Sequence, residues 1–288
     1  MRNKHDAGGY FALEVKPDIY LISHEYGEHG VHWGRKTDFG APSGNSWLIR
    51  GSERSLLIDS ALPHEGFRAF AERVAGTPVQ LVLTHAHYDH VFRLREFDEF
   101  WIHPEDEGLL KGRYSFQPAY DGIPKTVHYV KEGDAIDLGG GRKIDVYHTP
   151  GHSDGSILLF DLHSRSLFSG DTIARRLLYG LGKWVSLDQF IQSVARFRSL
   201  DFDSIYSCHD RSALSKSYLD FMIESIFELS AASGTIQLLG IEFIHLSRGI
   251  EREEFFFDMV VPADRRKETA ESLRRLRESG WPKQPKSG

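Results

Sequence analysis

The chain has 288 residues, 40% hydrophobic and 26% charged, a mix that excludes a disordered polymer and allows a full core without disulfide staples. Its single cysteine, Cys208, excludes an internal disulfide framework and fits a reducing compartment, and a formal net charge of −6 argues against a dedicated nucleic-acid binder. One count stands apart: 15 histidines, about double an average complement.

Residues 1–30 carry neither an apolar h-region of signal-peptide length nor a cleavage pattern, and no stretch approaches the ~18 apolar residues of a membrane span. A cytoplasmic protein with no membrane partner is therefore expected. The first strand is predicted at 19–22, followed by a Gly-rich, aromatic loop over 26–44. Two apolar runs, 46–50 and 55–59, flank Gly51 and read as a hairpin. Helical spacing of Phe67, Phe70, Ala71 and Val74 predicts a helix over 65–74, ended by Gly76 and Pro78. A fully apolar strand at 81–83 then runs into a polar cluster. Further strands are predicted at 100–103, 127–130, 135–138, 143–148, 156–161, 166–169, 205–207, 236–246 and 254–261, with helices at 187–200, 217–229 and 264–278. Strands with helices in both halves fit an α/β sandwich better than an all-β fold. Residues 263–288 carry eight Lys or Arg against four Asp or Glu, which reads as a solvated charged helix and tail.

The polar cluster is His85-Ala86-His87-Tyr88-Asp89-His90, four potential metal ligands in six residues. Imidazole and carboxylate donors together suit zinc, iron or manganese. In extended chain His85 and His87 point to one side, and a turn after them lets Asp89 and His90 face a different centre. Four such residues cannot close two metal shells, so further ligands are expected after other strand ends. Three candidates follow apolar runs: His152 in Thr149-Pro150-Gly151-His152, Asp171 in Ser169-Gly170-Asp171-Thr172, and His209 in Cys208-His209-Asp210. Ligands delivered from strand ends on one edge of a sandwich converge.

With these residues in order, the sequence resembles the metallo-β-lactamase-fold superfamily over about residues 18–230, with Asn45–Ile49 and Leu57–Ser60 similar to its opening hairpin. The resemblance implies a four-layer αββα sandwich with two mixed β-sheets and the metal site at one edge. The whole chain, 1–288, then reads as one domain, with a core over about 18–262. It also implies that His85, His87 and His152 bind a first metal, that Asp89, His90 and His209 bind a second, and that Asp171 bridges them. The complete set with a bridging Asp171 is similar to the glyoxalase-II-like and lactonase-like branch rather than to true β-lactamases. Several positions depart from family habit. The turn before His209 is Ser207-Cys208 rather than Pro-Gly, Asp210 replaces a glycine, and Ala174 stands where many lactonases have a tyrosine.

Two divalent ions, zinc first, would lower the pKa of a shared water, and the resulting hydroxide would attack the carbonyl of a small ester, lactone or thioester. Asp89 could steer the nucleophile's proton, and Asp59 is a candidate acceptor for the second nitrogen of a ligand histidine. The alternatives are a phosphodiesterase or RNase-Z-like hydrolase, whose nucleic-acid version the acidic charge disfavours, and a mononuclear iron oxidoreductase resembling persulfide dioxygenases. A small-molecule substrate is the expected partner. Its contacts would come from Trp33, Phe39, Tyr114, Phe116, Tyr120, Arg175, Arg176, Tyr179 and Trp184, the arginines holding an acidic group, although the aromatics could equally pack in the core or at a homodimer contact. His148 and the other scattered histidines read as surface or hydrogen-bonded residues. Cys208 reads as a small buried apolar side chain turned away from His209.

Overall fold

Alternation along the central strands decides the layering. In the strand Ser46–Ile49, Trp47 and Ile49 point to one face and Leu48 to the other; in Ser55–Ile58, Leu56 and Ile58 oppose Leu57. All are buried, so this sheet is covered on both sides. The computed structural model describes residues 4–7, 9–24, 30–32, 35–37, 44–62, 64–229, 234–238, 240–247 and 257–279.

The first sheet runs Lys4–Ala7, Tyr10–Lys16, Ile19–His24, Ser46–Ile49, Ser55–Ile58, Val79–Val82, Glu99–Ile102 and Thr126–Tyr129, each beside the next. The second runs Ala135–Asp137, Lys143–His148, Ile157–Asp161, Ser166–Gly170, Ser204–Ser207 and Leu214–Ser215. Both mix parallel and antiparallel pairs. Between them lies one apolar layer, where Ile19, Trp47, Ile58 and Val82 meet Ile144, Ile157, Leu159 and Phe168. Trp47 packs on Tyr206 with ring centres 4.6 Å apart, and its Nε1 donates to the Ser207 carbonyl at 3.0 Å, which ties the two sheets together.

Helix α1 (Phe67–Ala75) lays Phe67, Phe70, Ala71 and Val74 on the outer face of the first sheet, each large side chain contributing about 1.5–3 kcal/mol by burial. A one-turn helix α2 (Glu107–Leu110) follows. Helices α3 (Leu187–Ala195), α4 (Lys216–Glu228) and α5 (Arg266–Glu278) cover the outer face of the second sheet, where Leu158, Phe160, Leu167 and Ile205 point. The layers are therefore α, β, β and α, as the resemblance implies.

A third sheet of four strands, ordered Arg176–Leu178, Asp258–Pro262, Ile241–Ser247 and Gly234–Leu238, adjoins them. The single strand expected over 236–246 is a hairpin, broken where Gly240 turns at φ +73°. Tyr10–Lys16 is a strand its sequence does not announce, because of its residues only Tyr10 and Ala12 are buried. The helix expected over 187–200 keeps its α-form only to Ala195, with a 3₁₀ turn over Arg196–Ser199. Among the described residues no helix is long and apolar enough to cross a membrane.

Candidate metal centre

The strand Val79–Val82 ends at the edge where the inter-sheet layer opens, and His85, Ala86 and His87 continue from it into a 3₁₀ turn over Tyr88–His90. Beside it the strand Ser55–Ile58 ends at Asp59, held in the left-handed region at φ +62°. That costly conformation is fixed by bonds on every side. The Asp59 amide donates to the Val82 carbonyl at 2.9 Å. Its carboxylate accepts from the Thr84 amide and hydroxyl, both at 2.7 Å, and from Nδ1 of His90 at 2.9 Å.

Three imidazoles converge at one point. Nε2 of His152 lies 3.0 Å from Nε2 of His85 and 2.8 Å from Nδ1 of His87. Outside the cluster, Nδ1 of His152 donates to the Leu178 carbonyl, and Nδ1 of His85 donates to the Thr84 hydroxyl at 3.2 Å. With their protons so committed, the two Nε2 atoms that meet both carry lone pairs. Burial first, then the neighbouring imidazoles, hold His85 and His87 well below the ordinary histidine range, and burial lowers His152 as well. These are neutral rings, and His85 and His152 aim lone pairs at one position beside His87 Nδ1, a set that a cation would satisfy.

A second group adjoins the first. Asp171 follows Gly170, whose φ of +51° swings the chain off the strand Ser166–Gly170; a Cβ there would stand 2.6 Å from the Thr84 hydroxyl oxygen. Oδ2 of Asp171 lies 3.0 Å from Nε2 of His209 and 3.6 Å from Nε2 of His152, and Oδ1 lies 3.4 Å from Nε2 of His90. Asp171 thus stands between the two groups. Oδ2 of Asp89 is 3.5 Å from Nε2 of His209 and 3.9 Å from Nε2 of His90. His87 Nε2, His90 Nε2 and Asp171 Oδ1 are buried without a hydrogen-bond partner. Burial opposes charge on His90, yet Asp171, Asp89 and Asp59 raise its pKa well above the ordinary value; His209 is raised in the same way by Asp171 and Asp89. Burial likewise works against charge on Asp171, but His209 and His90 hold it well below the carboxylate range. The carboxylates demand positive charge here, and the donor set of nitrogen and oxygen suits a divalent ion of the zinc, iron or manganese kind. The ligand atoms in each of the groups His85/His87/His152 and Asp89/His90/His209 lie within 4.8 Å of one another, so each group could hold one ion.

Residues 39–209 match the metallo-beta-lactamase superfamily. The chain belongs to that superfamily. Among its curated relatives, acyl-coenzyme A thioesterase MBLAC2 of Gallus gallus is 32% identical over 54% of this chain and 67% of the relative. The Homo sapiens protein of the same name is 33% identical over 45% of this chain and 58% of its own. Hydroxyacylglutathione hydrolase of Xanthomonas oryzae pv. oryzae is 28% identical over 62% of this chain, and the match spans 64% of that relative. Two solved structures share the fold. A metallo-beta-lactamase family protein of Thermus thermophilus is 18% identical with a TM-score of 0.53, covering 92% of this chain and 95% of that one. The metallo-beta-lactamase of Pontibacter korlensis is 16% identical with a TM-score of 0.57, covering 75% and 97%.

Around this superfamily site several residues behave differently from the sequence expectation. Cys208 is buried in the apolar inter-sheet layer as expected, but it lies past the end of the strand Ser204–Ser207 and its thiol also donates to Asp59 Oδ2 at 3.0 Å. Arg175 does not offer a free guanidinium to a substrate, because its Nη1 lies 2.6 Å from Oδ1 of Asp210. Of the candidate contact aromatics, Phe116 stands beside the three-histidine group, 6.0 Å from the His87 ring, with Tyr114 stacked on it. Tyr120 and Tyr179 are buried with their hydroxyls on backbone carbonyls, and Trp184 packs edge-on against Tyr179. Arg176 lies on the edge strand of the third sheet. Trp33 and Phe39 fall outside the described side chains. His148 stacks on His103 and donates toward the Asp154 carbonyl, away from the ligand set.

Two supporting residues carry no sequence pattern of their own. Gln117 donates to the Ala86 carbonyl at 2.8 Å and accepts from the Tyr88 amide at 3.1 Å, bracing the His85–His90 segment. Asp106 lies behind the same segment and reaches the His152 loop as well.

Proposed function

We propose that the chain is a dinuclear metal-dependent hydrolase acting on a thioester of a small acyl carrier, with esters and lactones as lesser substrates. The observation that carries this reading is the meeting of two lone pairs, His85 Nε2 and His152 Nε2, at 3.0 Å beside a carboxylate that also faces His90 and His209. His85, His87 and His152 would hold one ion, Asp89, His90 and His209 a second, and Asp171 would touch both. Zinc suits these donors best, with iron and manganese as alternatives. When bound, such a pair supplies Lewis acidity and a nucleophile at neutral pH.

The protein's own residues do the rest. Asp59 fixes which nitrogen of His90 faces the centre, and the Leu178 carbonyl does the same for His152. Asp89 is the most exposed carboxylate of the set, one-third open to solvent, and would take the nucleophile's proton and pass it outward. Phe116 and Tyr114 form an apolar wall beside His87 that limits water on that side. A thiol of pKa about 8.5 leaves as thiolate without a strong acid, so a thioester asks less of this site than an amide would. The names of the relatives, an acyl-coenzyme A thioesterase and a hydroxyacylglutathione hydrolase, support the thioester class.

The test is a hydrolysis panel on protein of known metal content: acyl-coenzyme A, acylglutathione, lactone, aryl ester, phosphodiester and β-lactam. Thioesters should turn over fastest, at about two ions per chain, with activity lost on chelation. Full activity in metal-free protein, or a preference for the phosphodiester, would overturn the proposal.

A further inference from the structure

The segment Ser207-Cys208-His209-Asp210 contains neither proline nor glycine, so its backbone alone does not dictate a tight turn. Side chains close it instead. The Ser207 hydroxyl donates to Oδ2 of Asp210 at 2.7 Å, and the Asp210 amide approaches the Ser207 hydroxyl at 3.2 Å, leaving His209 at the apex. The other oxygen of Asp210 lies 2.6 Å from Nη1 of Arg175, and both side chains are largely buried, at 5% and 13% exposure. Arg175 sits four residues after Asp171. Its own backbone is anchored, since its carbonyl accepts from the Asp258 amide at 2.9 Å and Arg176–Leu178 pairs with Asp258–Pro262. The near end of the Asp171 loop is closed by Thr172 donating to the Ser169 carbonyl at 2.9 Å.

The ion pair therefore joins the two loops whose tips, Asp171 Oδ2 and His209 Nε2, face each other at 3.0 Å. We propose that Arg175 and Asp210 are positioning residues for the second metal position, and that occupancy of the Asp89/His90/His209 group depends on them while the His85/His87/His152 group does not. The inference rests on the dinuclear reading above. Neither residue is a ligand. A low-dielectric setting makes their attraction strong and holds the His209 turn in one register against Asp171. The arginine is thereby assigned an internal partner rather than an acidic substrate.

Full-length protein loaded with zinc is equilibrated against graded chelator, and the ions retained per chain are counted for wild type, Asp210→Asn and Arg175→Met. Asp210→Asn preserves the shape and the Ser207 bond, so it tests the charge pair even if Arg175→Met fails to fold, and thermal melts report which variants are folded. Wild type should release its two ions in two steps. The folded variants should hold the first as wild type does and lose the second at about 10–100-fold higher free zinc. The proposal is overturned if folded Asp210→Asn retains both ions as wild type does, or if both positions weaken equally, which is the signature of general destabilisation. Should wild type hold only one ion or none, the dinuclear reading itself fails and this inference with it.

Discussion

Asp106 is fully buried behind the paired histidines, with its Oδ2 2.9 Å from the backbone nitrogen of Ala86. The same oxygen accepts from the Ser153 hydroxyl at 2.8 Å, and Oδ1 accepts from the Gly155 amide at 2.6 Å. One carboxylate thus fixes the residue between His85 and His87 against the residues that follow His152. Burial pushes its pKa up to about 6 even though these three donors favour the charged form.

Replacing that carboxylate leaves three donors facing an apolar gap. Asp106→Ala should cost about 3–5 kcal/mol of folding stability, read from denaturant unfolding. Metal retention at the three-histidine position should weaken with it. A variant that unfolds like wild type would show that water replaces the carboxylate.

Asp171 faces both ligand groups, so its loss should reach both. Asp171→Ala is expected to retain less than one ion per chain after dialysis and to lose at least about 100-fold in hydrolysis. Elemental analysis of the dialysed protein decides the first point and steady-state kinetics the second. Retention of two ions would rule out a bridging role for Asp171.

Gly170 is required by space as well as by its positive φ. In Gly170→Ala the new Cβ would meet the Thr84 hydroxyl oxygen at 2.6 Å and Thr84 Cβ at 2.7 Å, and both are held by Asp59. Destabilisation of about 1–3 kcal/mol is expected, together with weaker metal binding, because Thr84 also receives Nδ1 of His85. Thermal melts with and without chelator separate the two effects.

His103 supplies the pH dependence. Burial and then the stacked His148 ring, 3.9 Å away, lower its pKa to about 4, against about 6.5 in an unfolded chain. As pH falls through 6.5 the unfolded chain takes a proton that the folded chain refuses. Stability attributable to His103 is therefore complete above 6.5 and drains away down to about pH 4, by about 1–3 kcal/mol. His103→Phe keeps a stacked ring and cannot titrate. The stability difference between wild type and this variant should shrink over that window, and a flat difference would refute the assignment.

The seven candidate ligands are legible because their signal is local: a dense row of donors, then single donors just past apolar runs. The layering is legible for a similar reason, since residues such as Trp47, Leu48 and Ile49 alternate within strands short enough to read. Asp106 is not legible. His103-Pro104-Glu105-Asp106 resembles any polar turn, and its role exists only once Ala86 and Ser153 are brought to one place. Cys208 is buried in the apolar layer between the sheets, as its residue type suggests, but its bond to Asp59 is not legible. The two-residue alternation of a strand stops at Ser207, and in the turn beyond it the thiol is free to face Asp59. Arg175 shows the remaining limit, because composition reveals a cation but not the buried carboxylate that takes it.

His85, His87, Asp89 and His90 depart from the first sheet, whereas His152, Asp171 and His209 depart from the second. An ion shared among them would be a strut between the two layers, one that can form only after the sheets have stacked. By mass action a ligand that binds only the folded form stabilises it by about 4 kcal/mol at a thousandfold excess over its dissociation constant. Metal supply would then set the stability of the sandwich as well as its proposed chemistry, and a starved chain would part first along the edge where these seven residues lie.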